Sequence, residues 1–515
     1  MDDSSTGQKP AMEIELKLLF AVADLKALPS NPRVREITRA DHRSVLLHSV
    51  YFDTPEGDLR ESGVALRLRR QGRLWFQTLK GPGEAVAGLH ARGEFEWRVP
   101  GDRLDPDVLV QTPFEKLFSR RKVREGLAPV FTTEFRRRVL ELAFPDGTEA
   151  ELGIDLGEIR AGQRMAPIAE AEIELVKGEP RTLIDFAIDL SESVSFRLGH
   201  ASKAERAWRL ALGNAEVPRK AVRYAIAPGT DAITAMRHVI ADCLAQVGAN
   251  TEGAIEAKNP EFLHQLRVGF RRLRVALDTV PDEQWRVALE PVLLELRDVS
   301  AVLGPARNWD VFASELLPPI GRHCGQQLLA GLRARTSAQR RKRSKAASAV
   351  IASPGFARLC LRLGAALASL VPPADDAARE EIKAGRFAAQ ALDRSRRRLL
   401  RRAPLEPRPP AEALHRMRIA AKKLRYTADF FAALYPRRKL RRYTDALGEL
   451  QSVLGDANDA SVAQRMIEQA AGAGKTPLAP EVRGLAQGWI AATEARARDA
   501  FGEAWKKFGQ VKQFW

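Results

Sequence analysis

Glu13, Glu15 and Lys17 alternate with Ile14, Leu16 and Leu18. Successive side chains of a β-strand point to opposite faces, so this stretch has one charged and one apolar face. One such strand specifies only a half-buried sheet; the constraint comes from repetition along the next two hundred residues. Period-two alternation predicts further strands over 44–52, 64–70, 74–80, 92–98, 135–144, 149–156 and 170–175, with helical segments over 22–40 and 105–126. The turn at 53–57 closes the second strand, and Gly81, Pro82 and Gly83 are expected to end the 74–80 strand. The charges also sort. Acids dominate 13–17, 92–98, 149–155 and 170–174, whereas 64–70 carries Arg67 and Arg69 opposite Leu66 and Leu68.

An open sheet with one wet face would accommodate each strand separately but gives no reason for the sorting. A closed barrel of about eight strands can hold one small ligand. With charged faces inward, the two helical segments would cover the apolar exterior. The lumen is then a tunnel with carboxylates on one wall and guanidinium or ammonium groups on the other. Crowded carboxylates take up protons unless a cation sits among them, and an all-oxygen donor set favours Mg2+ or Mn2+. Arginines facing such a site suit a phosphate chain, which they bind bidentately. Phosphoryl transfer needs position, metal and charge neutralisation more than covalent help. Lysine and arginine exceed aspartate and glutamate by 17, in keeping with an anionic partner. The sequence contains no phosphate-binding P-loop, nucleophile elbow or HExxH motif.

Glu13, Glu15 and Lys17, with Tyr51 to Pro55, Ala65 to Arg69, Thr78 to Gly81 and Ser202 to Arg206, make residues 10–210 resemble the CYTH domain of the triphosphate tunnel metalloenzymes. The resemblance implies a tunnel barrel that hydrolyses a triphosphate with Mg2+ or Mn2+. It implies metal held by Glu13, Glu15, Glu172 and Glu174, helped by Glu94, Glu96 and Asp155. Phosphates would be held by Lys17, Arg67, Arg69, Lys80, Arg137 and Lys203. Glu13, Glu15 and Lys17 form the catalytic group, and a water activated between metal and carboxylate would attack the terminal phosphorus. Strand parity selects Arg137 over its neighbours Arg136 and Arg138; the resemblance assigns no role to Glu170.

Residues 211–228 read as a linker, after which helical spacing replaces strand alternation. An internal repeat appears there. His264, Arg267, Arg271, Arg272 and Arg274 recur as His415, Arg418, Lys422, Lys423 and Arg425, and the Leu303–Gly304 motif recurs at Leu454–Gly455, each at an offset of 151. Two motifs sharing one offset indicate a duplication, with copies over about 229–375 and 376–510 and a Pro-rich break at 404–410. On a helix, His264, Arg267, Arg271 and Arg274 share one face beside the apolar stripe of Leu266, Phe270, Leu273 and Leu277. Like charges four residues apart destabilise a helix, so their recurrence at Arg418 and Lys422 points to a ligand. Two such helices about a pseudo-two-fold axis would form a basic groove. This pattern resembles the CHAD domain, often fused to CYTH. It implies paired helical bundles that bind inorganic polyphosphate through His264, Arg267, Arg271, Arg274, His415, Arg418, Lys422 and Arg425.

The expected whole is an α+β, multidomain chain: an eight-stranded antiparallel tunnel barrel followed by duplicated all-α bundles. Its expected activity is metal-dependent hydrolysis of inorganic triphosphate to diphosphate and phosphate, with polyphosphate bound by the helical half. A class IV-type adenylate cyclase or a thiamine triphosphatase would use similar barrel residues. A non-catalytic polyphosphate- or nucleic-acid-binding protein is the alternative of another class. Nucleic acid is the weaker partner, because the helical half lacks the interleaved aromatics that stack on single strands. Three scattered cysteines form no disulfide or zinc framework, the polar N-terminus is no secretory signal, and no apolar run reaches the ~20 residues of a membrane span. These features lead to an expectation of a cytoplasmic protein without a membrane partner, associated with polyphosphate granules. Nothing in the sequence specifies an oligomeric state.

Overall fold

The computed structural model describes residues 11–213, 217–222, 226–227, 229–372, 383–404, 406, 409–473 and 478–515. The N-terminal decapeptide, parts of the expected linker and Pro-rich break, and the expected start of the second helical copy at 376 lie outside the described residues. Two compact units result. One runs to Val217 and includes Ala352–Ala365; the other comprises Pro218–Ile351 and Ala366–Trp515.

The first unit is built on ten strands: β1 (Ala11–Leu19), β2 (Thr38–Asp41), β3 (Val45–Asp53), β4 (Ala65–Gln71), β5 (Leu74–Val86), β6 (Leu89–Val99), β7 (Ala128–Ala143), β8 (Glu149–Ala161), β9 (Arg164–Lys177) and β10 (Arg197–Leu198). The path β1–β6–β5–β4–β3–β7–β8–β9 returns to β1, where Glu15 lies opposite Glu174 and Lys17 opposite Glu172. Eight antiparallel strands therefore close into a barrel, and β2 and β10 pair outside this circuit. Closure leaves no free edge among the eight.

Alternation decides what faces where. Leu66, Leu79 and Phe95 point out of the barrel and form a core with Leu109, Leu117, Phe118 and Val123 of the 105–126 insert. Facing inward at one end, Leu47, Tyr51, Phe131 and Phe135 pack with Ala204 and Ala207 of the helix Lys203–Leu212. A capping box starts that helix: the Glu205 amide donates to Ser202 Oγ at 3.1 Å, and the Ser202 amide donates to Glu205 Oε2 at 2.7 Å. The cap fixes Lys203 as the first helical residue.

Two local expectations are corrected. Residues 22–40 are not one helix but Val22–Ala27, a 3-10 turn Leu28–Ser30, a helix Pro32–Ile37 and the start of β2. Pro29 and Pro32 lack the amide that a continuous helix requires, and the Asn31 side chain caps the second segment by accepting from the Arg33 amide at 3.0 Å. Nor does β5 stop at Lys80. It continues to Val86 across a register shift between Lys80 and Gly83, a bulge that accommodates Pro82.

The second unit is helical, apart from one isolated bridge between Asp231 and Lys383. The helices Pro260–Thr279 and Ala411–Phe430 carry the two repeated basic motifs. No single helix among the described residues is long and apolar enough to cross a membrane.

Candidate active site

Inward-facing residues of the barrel line a cavity of about 470 Å3, among them Glu13, Glu15, Lys17, Arg67, Arg69, Lys80, Glu94, Glu96, Arg137, Glu172, Glu174 and Lys203. Strand register brings opposite charges face to face. Arg92 lies opposite Glu13, Lys80 opposite Glu94, Arg137 opposite Asp155 and Lys17 opposite Glu172. Such cross-strand pairs are mutually stabilising.

Two charge clusters result. In the first, Lys80 Nζ donates to both Glu13 oxygens at 2.6 and 2.8 Å and lies 3.2 Å from Glu94. Arg92 reaches Glu13 at 2.8 Å and Glu15 at 3.3 Å. Burial alone would raise the Glu13 carboxyl, but Lys80 and Arg92 outweigh it and hold the group at about 2. The second cluster is more deeply buried. Arg137 binds Asp155 bidentately at 2.7 and 2.6 Å and also pairs with Glu172. Lys203 joins Asp155 at 2.8 Å, Glu172 at 2.9 Å and Glu170; Arg206 also pairs with Glu170. Lys17, 1% exposed, pairs with Glu172 and lies 3.4 Å from Glu15. Burial would lower its ammonium pKa, yet Glu15, Glu172 and Glu170 raise it. Its stem packs so closely on Gly199 that a Cβ there would come within 2.5 Å of Lys17 Cγ.

Three members remain less satisfied. Arg69 has no carboxylate within ion-pair distance among the described residues; burial and the neighbouring Arg67 and Arg137 lower it to about 10. Arg67 touches Tyr51 Oη at 3.4 Å and approaches Glu94 at 3.6 Å. Glu174 lies opposite Glu15 with no protein cation in ion-pair range among the described residues. Its carboxyl is pushed up to about 7 by burial and by Glu13, Glu15 and Glu94, against the pull of Lys80.

In the helical unit, burial, Arg271 and Arg307 lower Arg267 to about 10, while Arg267 donates to the carbonyls of Leu303 and Gly304, both at 2.7 Å. Lys422 is lowered to about 7 by burial, Arg418, Arg271 and Arg267, with Asp459 opposing. His264 is lowered to about 4 by burial and the adjacent arginines. Arg271 of one helix reaches Tyr426 Oη of the other at 3.4 Å. The two motifs thus meet in one crowded basic cluster. Arg274 and His415 are exposed, His415 binding Asn458 at 2.8 Å, and Arg425 donates to Thr444 O at 2.7 Å.

Residues 11–208 match the family model of the CYTH domain, and residues 238–468 match that of the CHAD domain. The chain carries a CYTH domain followed by a CHAD domain. An inorganic triphosphatase of Haemophilus influenzae is 32% identical over 200 residues, which cover 38% of this chain and 54% of that protein. The match to this relative therefore spans about half of its length. An uncharacterized protein of Mycobacterium tuberculosis is 26% identical over 503 residues, 90% of each chain. The crystal structure of the CHAD domain from the plant Ricinus communis aligns with a TM-score of 0.51 and 29% identity, covering 58% of this chain and 98% of that one.

The CYTH tunnel implies a divalent cation, and the residues present fit one. Glu174 is a partly buried acid with no cation in ion-pair range among the described residues, and it faces Glu13, Glu15 and Glu94. Such an oxygen set suits a hard cation. Asp155, Glu170 and Glu172 also place carboxylate oxygens within 4.8 Å of one another, but they are engaged by Lys17, Arg137, Lys203 and Arg206. The raised Glu174 carboxyl has a consequence. A carboxyl bound more tightly to its proton in the folded state stabilises the fold at acid pH, and that contribution is lost as pH rises through about 7. Thermal melts of the metal-free protein should therefore decline across this interval. Added Mg2+ should raise Tm at about pH 8 and scarcely at about pH 5. A Glu174→Gln variant should lose that pH dependence; retention of the dependence would remove Glu174 from the cation set.

Sequence reasoning left four members of these clusters without a role. Arg92 shares strand parity with Glu94 and Glu96, a legible signal, yet stands among acids as their counter-ion. The buried Glu170 pairs with the half-buried Arg206, and Arg206 lies within the Ser202–Arg206 motif. Arg307 joins the CHAD cluster from the second repeated motif, where the other copy has Asn458.

Proposed function

We propose that the CYTH domain hydrolyses inorganic triphosphate to diphosphate and phosphate in a Mg2+- or Mn2+-dependent reaction, and that the CHAD domain binds inorganic polyphosphate. One observation carries the first reading: a single cavity is lined by Glu13, Glu15, Glu94 and Glu174 together with Arg67, Arg69, Lys80 and Arg137. The likeness of residues 11–208 to the CYTH domain, and of part of this chain to an inorganic triphosphatase, supports it.

Glu13, Glu15 and Glu174, with Glu94 beside them, would hold the cation; Glu96, Asp155 and Glu172 complete the acidic set. When bound, the cation would neutralise phosphate charge and polarise the phosphoryl oxygens. Arg69, with no carboxylate in ion-pair range among the described residues, would take a phosphate oxygen, and Arg67 gives up little by turning to one. Lys17, Lys203 and Arg137 are fixed by buried ion pairs and supply positive charge along the lumen without reorganising. A carboxylate of the acidic wall takes the proton of the attacking water, the terminal phosphorus forms a bond to its oxygen, and the anhydride bond breaks with diphosphate leaving.

For the CHAD domain, the crowded cluster of Arg267, Arg271, Arg418 and Lys422 supports the polyphosphate reading: burial and the neighbouring cations lower Lys422 to about 7, and a polyanion relieves the repulsion among them. An Arg271→Gln/Lys422→Gln variant should bind polyphosphate about a hundredfold more weakly, at about tenfold per charged contact removed. Fluorescence anisotropy with labelled polyphosphate measures this, and a parallel fall in triphosphate turnover would contradict the division of labour. RNA competing polyphosphate off at equal charge would favour a nucleic-acid partner instead.

A further inference from the structure

A second basic cleft lies in the helical unit, and of the repeated His–Arg motifs it includes only Lys423. It measures about 1110 Å3 and is formed by the helix Ala384–Leu400, the end of the helix Pro260–Thr279 and the short helix Glu283–Ala288. Arg386, Arg394, Arg397, Arg398 and Arg401 line one wall; Arg286 and Lys423 line the other. Against these seven cations stand Asp278, which Lys423 engages at 3.0 Å, and Glu283. Phe387, Ala391 and Val280 contribute apolar surface to the same cleft.

Two features argue against an ordinary solvated face. The duplication assigns each of the five helix arginines a counterpart 151 residues earlier, and those counterparts are Ala235, Cys243, Gln246, Val247 and Asn250. All five counterparts are uncharged and buried, whereas the five arginines are exposed, so the face that the other copy packs inside is here open and basic. The charges are also placed at a cost. Arg394, Arg397, Arg398 and Arg401 stand three, four and seven residues apart, a like-charge spacing that destabilises a helix. Arg386 occupies the first turn, where the helix dipole disfavours a cation and no acid is present. Arg397 and Arg398 in the last turn gain from the dipole; Arg386 and Arg394 do not. Burial and the neighbouring Arg286 and Arg397 lower the Arg394 pKa, and its guanidinium lies 5.8 Å from the Phe387 ring centroid.

We propose that this cleft is a separate binding site for a small anion bearing several phosphoryl groups. Arginine in place of lysine suits phosphate oxygens, which the guanidinium fork meets in pairs. The cleft exceeds the barrel cavity in volume and offers apolar surface, so it accommodates either an inorganic chain or an organic triphosphate. The inference does not rest on the polyphosphate groove, since it uses none of that cluster's residues.

The test uses the full chain carrying Arg271→Gln and Lys422→Gln, so that the groove contributes little. Calorimetric titration in chelator with inorganic tripolyphosphate, and separately with ATP, should show, in addition to any binding in the barrel, a saturable site. Adding Arg394→Gln and Arg398→Gln should lower its affinity about tenfold or more. Selective loss for ATP would assign the site to organic triphosphates, and equal loss to the phosphate chain alone. Unchanged affinity for both ligands would overturn the proposal. So would equal weakening of polyglutamate of matched charge, or an effect confined to single-stranded RNA. As a check independent of folding, tripolyphosphate should protect Arg394 from phenylglyoxal in the protein without pocket substitutions; absent protection also counts against the site.

Discussion

Replacing Glu15 by glutamine, or Glu13 likewise, is expected to reduce metal-dependent triphosphate hydrolysis by on the order of a thousandfold while the barrel stays folded. The size follows from the several kcal/mol that a bound divalent cation contributes to the transition state of phosphoryl transfer. Glu15 is 2% exposed, opposite Glu174 and within 3.3 Å of Arg92 and 3.4 Å of Lys17. Glutamine keeps its volume and removes its charge, leaving both cations other carboxylates: Arg92 keeps Glu13, and Lys17 keeps Glu172. The loss should therefore appear in kcat at saturating substrate, with raised metal demand and an unchanged circular dichroism spectrum. An active Glu15→Gln enzyme with ordinary Mg2+ dependence would exclude this carboxylate from cation binding.

Lys203→Met should act on the fold itself. Lys203 is 7% exposed and is the shared counter-ion of Asp155, Glu170 and Glu172. Removing one partner of a buried ion pair leaves an uncompensated charge, which costs about 3–5 kcal/mol. Arg137 and Lys17 still serve Asp155 and Glu172, so the expected loss lies toward the lower end of that range. Urea unfolding of the barrel should show it as a lower midpoint with an unchanged slope. The pH dependence follows from the same pairs. Burial would raise the Asp155 and Glu172 carboxyls, but Arg137, Lys203 and Lys17 depress them. Their contribution is present above the ordinary carboxylate range and is lost as pH falls through their depressed folded values. Acidification should therefore erode the wild-type advantage over Lys203→Met. Equal stability of the two proteins at neutral pH would mean that the acidic trio does not need this ammonium.

Much of the tunnel was legible because strand alternation is a strict rule. Arg137 could be chosen over Arg136 and Arg138 by parity alone, and its bidentate bond to Asp155 places it in the lumen. The sorting of acids and bases likewise carried through to one cavity. Parity says nothing about depth along a strand or about pairing across strands. Both Glu172 and Glu174 face inward, yet among the described residues one is held by three cations and the other has none in ion-pair range, because register places Lys17 opposite Glu172 and Glu15 opposite Glu174. The continuation of β5 was hidden by turn chemistry. Gly81, Pro82 and Gly83 resemble a strand end, but a Cβ at residue 83 would come within 2.5 Å of Arg92 Cβ, so glycine there admits the close approach of β6. Repetition exposed the helical motifs; the arginine cleft, absent from the other copy, had no such signal.

We propose that acids and bases from separate strands meet around one lumen to hydrolyse a chain of phosphates. Phosphate release from inorganic triphosphate, ATP and thiamine triphosphate, each with Mg2+, with Mn2+ and with chelator, tests it most directly. Release is expected to be fastest from inorganic triphosphate and absent when chelator removes the metal. Turnover that persists without metal, or that favours a nucleotide over the bare triphosphate, would contradict it.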